Sequence, residues 1–215
     1  SAGIPLGKTP MVASALLLLS LNRQQLPLEN LCRLLNSPFW GNTHWDNTQV
    51  NDTEQPLDQQ TLNLPINVRA TAEKRLRYLA RHQLSSTEFR YQLHLAEQQA
   101  IGTLEDPKTE NTDGEVDNKS ISSLSSALEQ MESLRREMPK KASFQQWLML
   151  FQQQLDIVNW PGQRSLDSIE YQQYQHWLRT LEQYQSLDLL GLNVSLLEAL
   201  RQLRQLTDKC IFQAE

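Results

Sequence analysis

Apolar side chains recur every three or four residues in segment after segment of this chain, most clearly over 143–158. In that run the inward positions are Phe144, Trp147, Leu148, Phe151, Leu155 and Val158. This spacing is typical of an amphipathic helix, because a strand would alternate with a period of two. Leucine contributes 38 residues and glutamine 25, whereas glycine contributes only 7. Since leucine and glutamine favour helices, we predict an all-α, multi-helix fold.

Cap and stop signals place the helices. They predict helices over 10–21, 67–83, 120–138 and 143–158, with others opening near 27, 85, 167 and 193. Thr9-Pro10 is a hydroxyl cap followed by proline at the first helical position, and Ser85 with Glu88 forms a capping-box signature. After Asp208, the run 209–212 has the character of a short strand.

Helical spacing also predicts which side chains face the core. For the helix over 67–83 these are Ala72, Leu76, Leu79 and Ala80. For the helix that opens near 85 they are Phe89, Leu93, Ala96 and Ala100. For the helix that opens at 167 they are Tyr171, Tyr174, Leu178, Leu181 and Tyr184. For the last helix they are Leu196, Leu197, Leu200, Leu203 and Leu206.

Two polar stretches interrupt the helices and suggest the domain organisation. Residues 42–67 read as a long loop, and residues 102–119 are acidic with almost no apolar side chains. A segment of that composition cannot bury enough surface to offset its ordering entropy. We therefore predict an N-terminal helical half (1–101), a flexible acidic linker (102–119) and a C-terminal four-helix half (120–215).

Charge, cysteines and hydropathy exclude several classes of protein. The net charge of −5 excludes a wholly basic protein that coats nucleic acid. The longest apolar run, 11–21, is about half of what a bilayer crossing requires, so we predict a buried helix and no membrane partner. Two distant cysteines, Cys32 and Cys210, favour a reducing compartment, and we expect a cytoplasmic protein. The chain begins at Ser1 rather than Met, which is expected of a processed chain or an excised piece.

Catalytic motifs are missing from the sequence. It contains no phosphate-binding loop, no GxGxxG, no GxSxG and no HExxH. His44 and Asp46 could seed a metal site but have no neighbouring cluster of ligands, and the other histidines are scattered. We therefore expect no catalytic, cofactor-binding or metal-binding residues and no enzyme activity of this chain.

One electrostatic feature stands out, on the helix over 67–83. Lys74, Arg77 and Arg81 form one stripe with Tyr78 between them. Such a stripe can follow a phosphate backbone and offer an aromatic ring for stacking, so these four residues are our DNA-binding candidates. There are two alternatives: the stripe is an ordinary solvated face, or it is a partner within the chain for the acidic linker.

Several segments taken in order resemble a known family. The first group is Pro5-Leu6-x-x-Thr9-Pro10-x-Val12, Ala15-Leu16-x-Leu18-Leu19 and Leu31-x-x-Leu34-Leu35-x-Ser37-Pro38-Phe39-Trp40-Gly41. It resembles the opening of the helical insertion (2B-like) in the second motor lobe of superfamily I DNA helicases, above all the helicase–nucleases related to RecBCD and AddAB. The second group is Ser143-Phe144-x-x-Trp147, Asn159-Trp160-Pro161-Gly162-x-Arg164-x-Leu166-x-Ser168-x-Glu170 and Trp177. It resembles bacterial probable DNA repair proteins related to the AddB subunit. Phe212-Gln213-x-Glu215 resembles the end of the helical insertion.

This resemblance implies a fragment of a larger DNA repair protein. The chain would be a non-catalytic accessory domain that positions duplex DNA, through weak phosphate contacts, or a partner subunit. The motor and nuclease domains of the parent would be its neighbours, and ATP and Mg²⁺ would belong to that parent. A stand-alone helical protein–protein interaction module is the first alternative, and an enzyme assembled from scattered Glu, His and Arg is the second.

Overall fold

The computed structural model describes residues 3–41, 67–102 and 123–214, which form eight α-helices and four two-residue strands. The helices are α1 Pro10–Ser20, α2 Leu28–Leu35, α3 Val68–Tyr78, α4 Ser86–Gly102, α5 Leu124–Glu137, α6 Phe144–Ile157, α7 Ser168–Ser186 and α8 Leu196–Lys209. Short 3-10 helices, Leu6–Lys8 and Leu187–Leu190, precede α1 and follow α7. The predicted all-α class is confirmed.

The strands join segments that are distant in sequence. Strand β1 (Ile4–Pro5) pairs antiparallel with β4 (Ile211–Phe212), so the predicted strand after Asp208 exists as one half of this pair. Strand β2 (Leu26–Pro27) pairs antiparallel with β3 (Gln83–Leu84). The first pair places residues 4–5 beside residues 211–212, and the second ties the start of α2 to the segment between α3 and α4.

Helix α1 is the centre of the fold. It packs against α2, α6, α7 and α8, and its side chains are buried on nearly every side. A helix that is apolar all round belongs inside a protein, so the predicted buried helix is confirmed. Its N-terminus differs from the prediction, because the Thr9 hydroxyl donates to the Leu6 carbonyl at 2.7 Å and does not cap α1.

One apolar core includes side chains from all eight helices. Helix α4 packs against α5, and α1 packs against three helices of the predicted C-terminal half. A buried pair of amides joins the end of α1 to α6: Asn22 and Gln154 each donate to the other, at 2.7 and 2.8 Å. The predicted acidic linker over 102–119, apart from Gly102, and the loop over 42–67, apart from Asn67, lie outside the described residues. The domain boundaries stay predictions.

Helix α6 carries the predicted aromatic face, and all six of its inward positions are buried. The rings of Trp147 and Phe151 stack with centroids 6.0 Å apart, and the Trp147 indole N–H donates to the Val194 carbonyl at 2.9 Å. Ser143 and Gln146 form a reciprocal capping box at the N-terminus. The inward face predicted for α4 is also buried throughout, and the Ser85–Glu88 capping box is present.

The prediction for the helix over 67–83 was wrong at its C-terminal end. Helix α3 stops at Tyr78, Ala80 has a φ of +48°, and the chain then extends into β3. Leu79 and Ala80 are therefore exposed, although Ala72 and Leu76 are buried as predicted. The pairing of β3 with β2 is the cause, because a strand that must reach Leu26 cannot continue the helix.

The predicted inward faces of α7 and α8 were partly wrong. Tyr171 is 57% exposed and Leu197 is 60% exposed. On α7, Leu181 and Tyr184 are buried as predicted. The buried face also includes Gln173, Trp177 and Thr180, because Trp177 packs against Trp160 with ring centroids 5.6 Å apart. On α8, Leu200 and Leu203 are buried as predicted.

Candidate nucleic-acid interface

The four predicted DNA-binding residues lie at the C-terminal end of α3 and just beyond it. Lys74, Arg77 and Tyr78 are exposed on the last two turns of the helix, with Tyr78 as its final residue. Arg81 is also exposed, but it follows the end of the helix rather than continuing its face. The predicted single helical stripe is thus corrected to a surface built from α3 and the segment after it. We call Lys74, Arg77, Tyr78 and Arg81 the basic surface.

Two of the three cations on the basic surface have carboxylate partners. The Arg77 guanidinium contacts Glu73 Oε1 at 2.6 Å, and the Arg81 guanidinium contacts Glu88 Oε1 at 2.6 Å. Among the described residues, Lys74 has no ion pair. Three cations and two carboxylates leave one net positive charge here.

The carboxylates are held in their charged form. The hydrogen bond from Arg77 lowers the pKa of Glu73, and the hydrogen bond from the Ser85 backbone N–H lowers the pKa of Glu88. The hydrogen bond to Glu73 raises the pKa of Arg77 in turn. The arginine side chains are largely accessible, 68% for Arg77 and 62% for Arg81, whereas the carboxylate side chains are 17% accessible for Glu73 and 45% for Glu88. Ion pairs at the surface contribute little to stability.

The remaining basic residues of this region serve the fold. Arg69 donates to three backbone carbonyls, those of Leu35, Ser37 and Trp40, and its guanidinium lies 4.5 Å from the centroid of the Trp40 ring. Arg75 donates to the side chain of Gln92 on α4. Arg90 reaches Glu129 and Glu132 on α5. The contacts of Arg90 with the two glutamates offset a positive charge, and the hydrogen bonds of Arg69 and Arg75 hold those side chains against neighbouring segments.

Arg77 and Glu73 also border a cleft of about 820 Å³ between α1, α2 and α3. Sequence reasoning did not find this cleft, because its other polar residues come from separate segments: Lys8, Glu29, Arg33 and His82. The backbone bond from Leu28 N–H to the His82 carbonyl, at 2.9 Å, brings His82 to the start of α2. The mixture of charges suits a polar chain more than a small apolar ligand.

The chemical groups in this cleft are weak nucleophiles. Burial raises the pKa of the Cys32 thiol, and the neighbouring Glu73 raises it further. A thiol is activated by a lowered pKa, so this environment has the opposite effect. Within residues 3–41, 67–102 and 123–214, no group of three or more His, Cys, Asp or Glu side chains could hold a metal ion. His44 and Asp46 lie outside the described residues.

None of the described helices is long and apolar enough to cross a bilayer. Comparison with known proteins identifies no relative: no family model matches the sequence, and no curated protein and no solved structure is significantly similar to it.

Proposed function

We propose that this chain is a non-catalytic helical accessory domain that positions nucleic acid through phosphate contacts on the basic surface. The observation that carries the proposal is the exposure of Tyr78, whose side chain is 78% accessible although it is large and partly apolar. Lys74 and Arg77 flank it on α3, and Arg81 follows it. An exposed aromatic ring among cations can stack on a base while the cations contact the backbone.

The ion pairs on the basic surface are compatible with this role. A phosphate oxygen can replace the Glu73 carboxylate at Arg77, because both anions accept from the same guanidinium donors. The exchange releases the counterions of the nucleic acid, which supplies most of the free energy of non-specific binding. The two carboxylates then act as competitors that keep the affinity low.

The resemblance to helicase–nuclease insertions extends the proposal to a parent protein. An inserted domain must leave and rejoin its host at neighbouring points, and the antiparallel pairing of Ile4–Pro5 with Ile211–Phe212 suits that requirement. In such a parent, the motor would use ATP and Mg²⁺, and this domain would position duplex DNA beside it. Its neighbours would be the motor and nuclease domains or a partner subunit.

The test is a pair of charge changes with opposite expected signs. We expect Arg77→Glu with Arg81→Glu to abolish binding of a fluorescent 20-base-pair duplex, measured by fluorescence anisotropy at low salt. We expect Glu73→Gln with Glu88→Gln to strengthen binding, because it removes both competing carboxylates. The unaltered chain should bind weakly and without sequence preference, in the range of about 10⁻⁴ to 10⁻⁶ M, with a slope of log K against log salt of about −2 to −3.

A matched control separates local contacts from net charge. Arg136→Glu with Arg179→Glu makes the same charge change at two exposed residues that have no ion pair within the described part of the chain. Equal losses in the two double-reversal variants would show that only net charge matters. Unchanged affinity in Arg77→Glu with Arg81→Glu would remove the basic surface from the proposal.

A second candidate function, a protein–protein interaction module, rests on a group of exposed leucines after α7. Leu189, Leu190, Leu192 and Leu197 are 91%, 63%, 52% and 60% exposed. Their turn is fixed in place, because Asp188 accepts from the Gln145 backbone N–H and Val194 pairs with Ala142. If this surface binds a protein partner of a stand-alone module, Leu189→Ser with Leu190→Ser should prevent that partner from co-purifying with the chain and leave duplex binding unchanged.

A further inference from the structure

A second cationic site lies between the end of α1 and one side of α8, away from the residues of the basic surface. It is a cleft of about 330 Å³, within the range typical of ligand pockets. Three arginines line it: Arg23 from the loop after α1, and Arg201 and Arg204 from α8. We call it the arginine cleft.

The arginines of this cleft outnumber its carboxylates. Within the described residues, none of the three forms an ion pair, in contrast to Arg77 and Arg81. Glu198 also lines the cleft, but its carboxylate accepts from the backbone N–H and the hydroxyl of Ser195, both at 3.0 Å. Those hydrogen bonds keep Glu198 in its charged form, so three cations and one carboxylate leave two net positive charges in the lining of the cleft.

Both burial and a neighbouring positive charge affect Arg204. Burial lowers the pKa of Arg204, and the neighbouring charge of Arg23 lowers it further, while Asp208 partly opposes both effects. Arg204 is nevertheless held in position, because its guanidinium donates to the hydroxyl of the buried Ser20. The guanidinium groups that line the cleft can therefore donate hydrogen bonds to an anion.

The geometry favours a phosphate group. Arg201 and Arg204 are three residues apart on α8, so their side chains leave the same face of the helix. Guanidinium groups bind phosphate oxygens through two parallel N–H donors, a geometry that an ammonium group cannot offer. Leu197 and Leu200 supply apolar side chains to the lining of the cleft.

We propose that Arg23, Arg201 and Arg204 form a phosphate-binding site, for a free phosphate ion or a phosphate of a nucleic-acid backbone. Only the nucleic-acid source depends on the proposed function of the basic surface. If nucleic acid is the source, the domain would hold a strand at two places, because the arginine cleft and the basic surface are built from different helices.

The experiment uses Arg23→Gln with Arg201→Gln and retains Arg204, since Arg204 packs on Ser20. The matched control is Arg136→Gln with Arg179→Gln, which removes the same charge from exposed positions outside the cleft. The first measurement follows the arginine Nε–Hε NMR signals of the full chain during titration with inorganic phosphate, against chloride at equal ionic strength. The second is the anisotropy of a labelled 20-base-pair duplex.

We expect phosphate to shift the Nε–Hε signals of the cleft arginines, and the cleft variant to lose the response that the control keeps. If the source is nucleic acid, the cleft variant should bind the duplex about tenfold more weakly, with the salt slope reduced by about 1 to 2. Signal shifts with phosphate but unchanged duplex binding would assign the site to the free ion.

Two outcomes overturn the proposal. One is the absence of a selective response to phosphate and to the duplex at the three arginines. The other is an equal loss in the control variant, which would show an effect of net charge alone. If Arg77→Glu with Arg81→Glu leaves duplex binding unchanged, the phosphate titration still tests the arginine cleft, because those two substitutions lie outside it.

Discussion

Helices α6 and α3 occupy opposite extremes of this fold. Helix α6 buries Phe144, Trp147, Leu148, Phe151, Gln154 and Leu155. Helix α3 buries only Val68, Ala72 and Leu76, and the rest of its surface is polar or charged. The first helix is thus held by apolar burial on several sides, whereas the second is held by a narrow apolar strip and by the contacts of Arg69. The difference indicates which helix supports the fold and which is available for binding.

The largest effect is expected in α6. Trp147→Ala or Phe151→Ala should each lower the free energy of unfolding by about 3–5 kcal/mol, because each change removes a fully buried ring and leaves a cavity. Urea denaturation with matched m values gives the measurement. As a control, Met149→Ala should have little effect, since Met149 lies on the same helix and is 63% exposed. If both ring variants had near-normal free energies of unfolding, apolar burial would not be what distinguishes α6 from α3.

The next effect is expected at Arg69, the polar anchor of α3. Arg69→Ala should cost about 1.5–3 kcal/mol, the range for hydrogen bonds to a charged group, because three carbonyls lose their donor. Arg69→Lys should recover little, because an ammonium group cannot serve the same three acceptors and stack on Trp40. Denaturant unfolding measures both variants. A fully stable Arg69→Ala variant would mean that the apolar strip alone holds α3.

The smallest effect concerns Tyr184, whose ring packs against Phe144 and Phe151 of α6. Tyr184→Phe should cost about 1 kcal/mol at neutral pH through the lost hydrogen bond to the Ala199 carbonyl. Burial raises the pKa of Tyr184 above its ordinary value of 10.0. This contribution is present below pH 10 and is lost as the pH rises further, since the unfolded chain then releases the proton first.

The stability curves of the two Tyr184 proteins should therefore converge above about pH 10. Measuring urea midpoints from pH 7 to 11 tests this point, and parallel curves would contradict it.

Helix α3 behaves in the opposite sense, because the pKa of Glu73 is lowered. The contribution of Glu73 is present above about pH 4.3 and is lost as the pH falls. Alkali thus probes the surroundings of α6, whereas acid probes the surface of α3 together with Glu88, Glu170 and Glu198, whose pKa values are also lowered.

Local sequence was sufficient where one helix face meets a single apolar core. The spacing over 143–158 predicted the buried apolar residues of α6 but not Gln154, which is buried because it pairs with Asn22. The Ser85–Glu88 signature predicted the start of α4. It was insufficient where a distant segment sets the outcome. Trp160 selects the buried face of α7 through Trp177, and strand β2 ends α3 at Tyr78. The spacing of apolar residues within one segment does not show which distant residue will pack against that segment.

The same distinction applies to the candidate sites. The sequence by itself determined the helical class, the buried character of α1 and the presence of cations near Tyr78, because these depend on composition and on spacing within one segment. Tertiary structure decided which cations are neutralised and which are not. Arg90 meets Glu132 across 42 residues, whereas Arg23 lines one cleft with Arg201 and Arg204, which are remote from it in sequence, and these three form no ion pair within the described residues. Ion pairing depends on distances of a few ångströms, and folding sets those distances between segments that are remote in sequence.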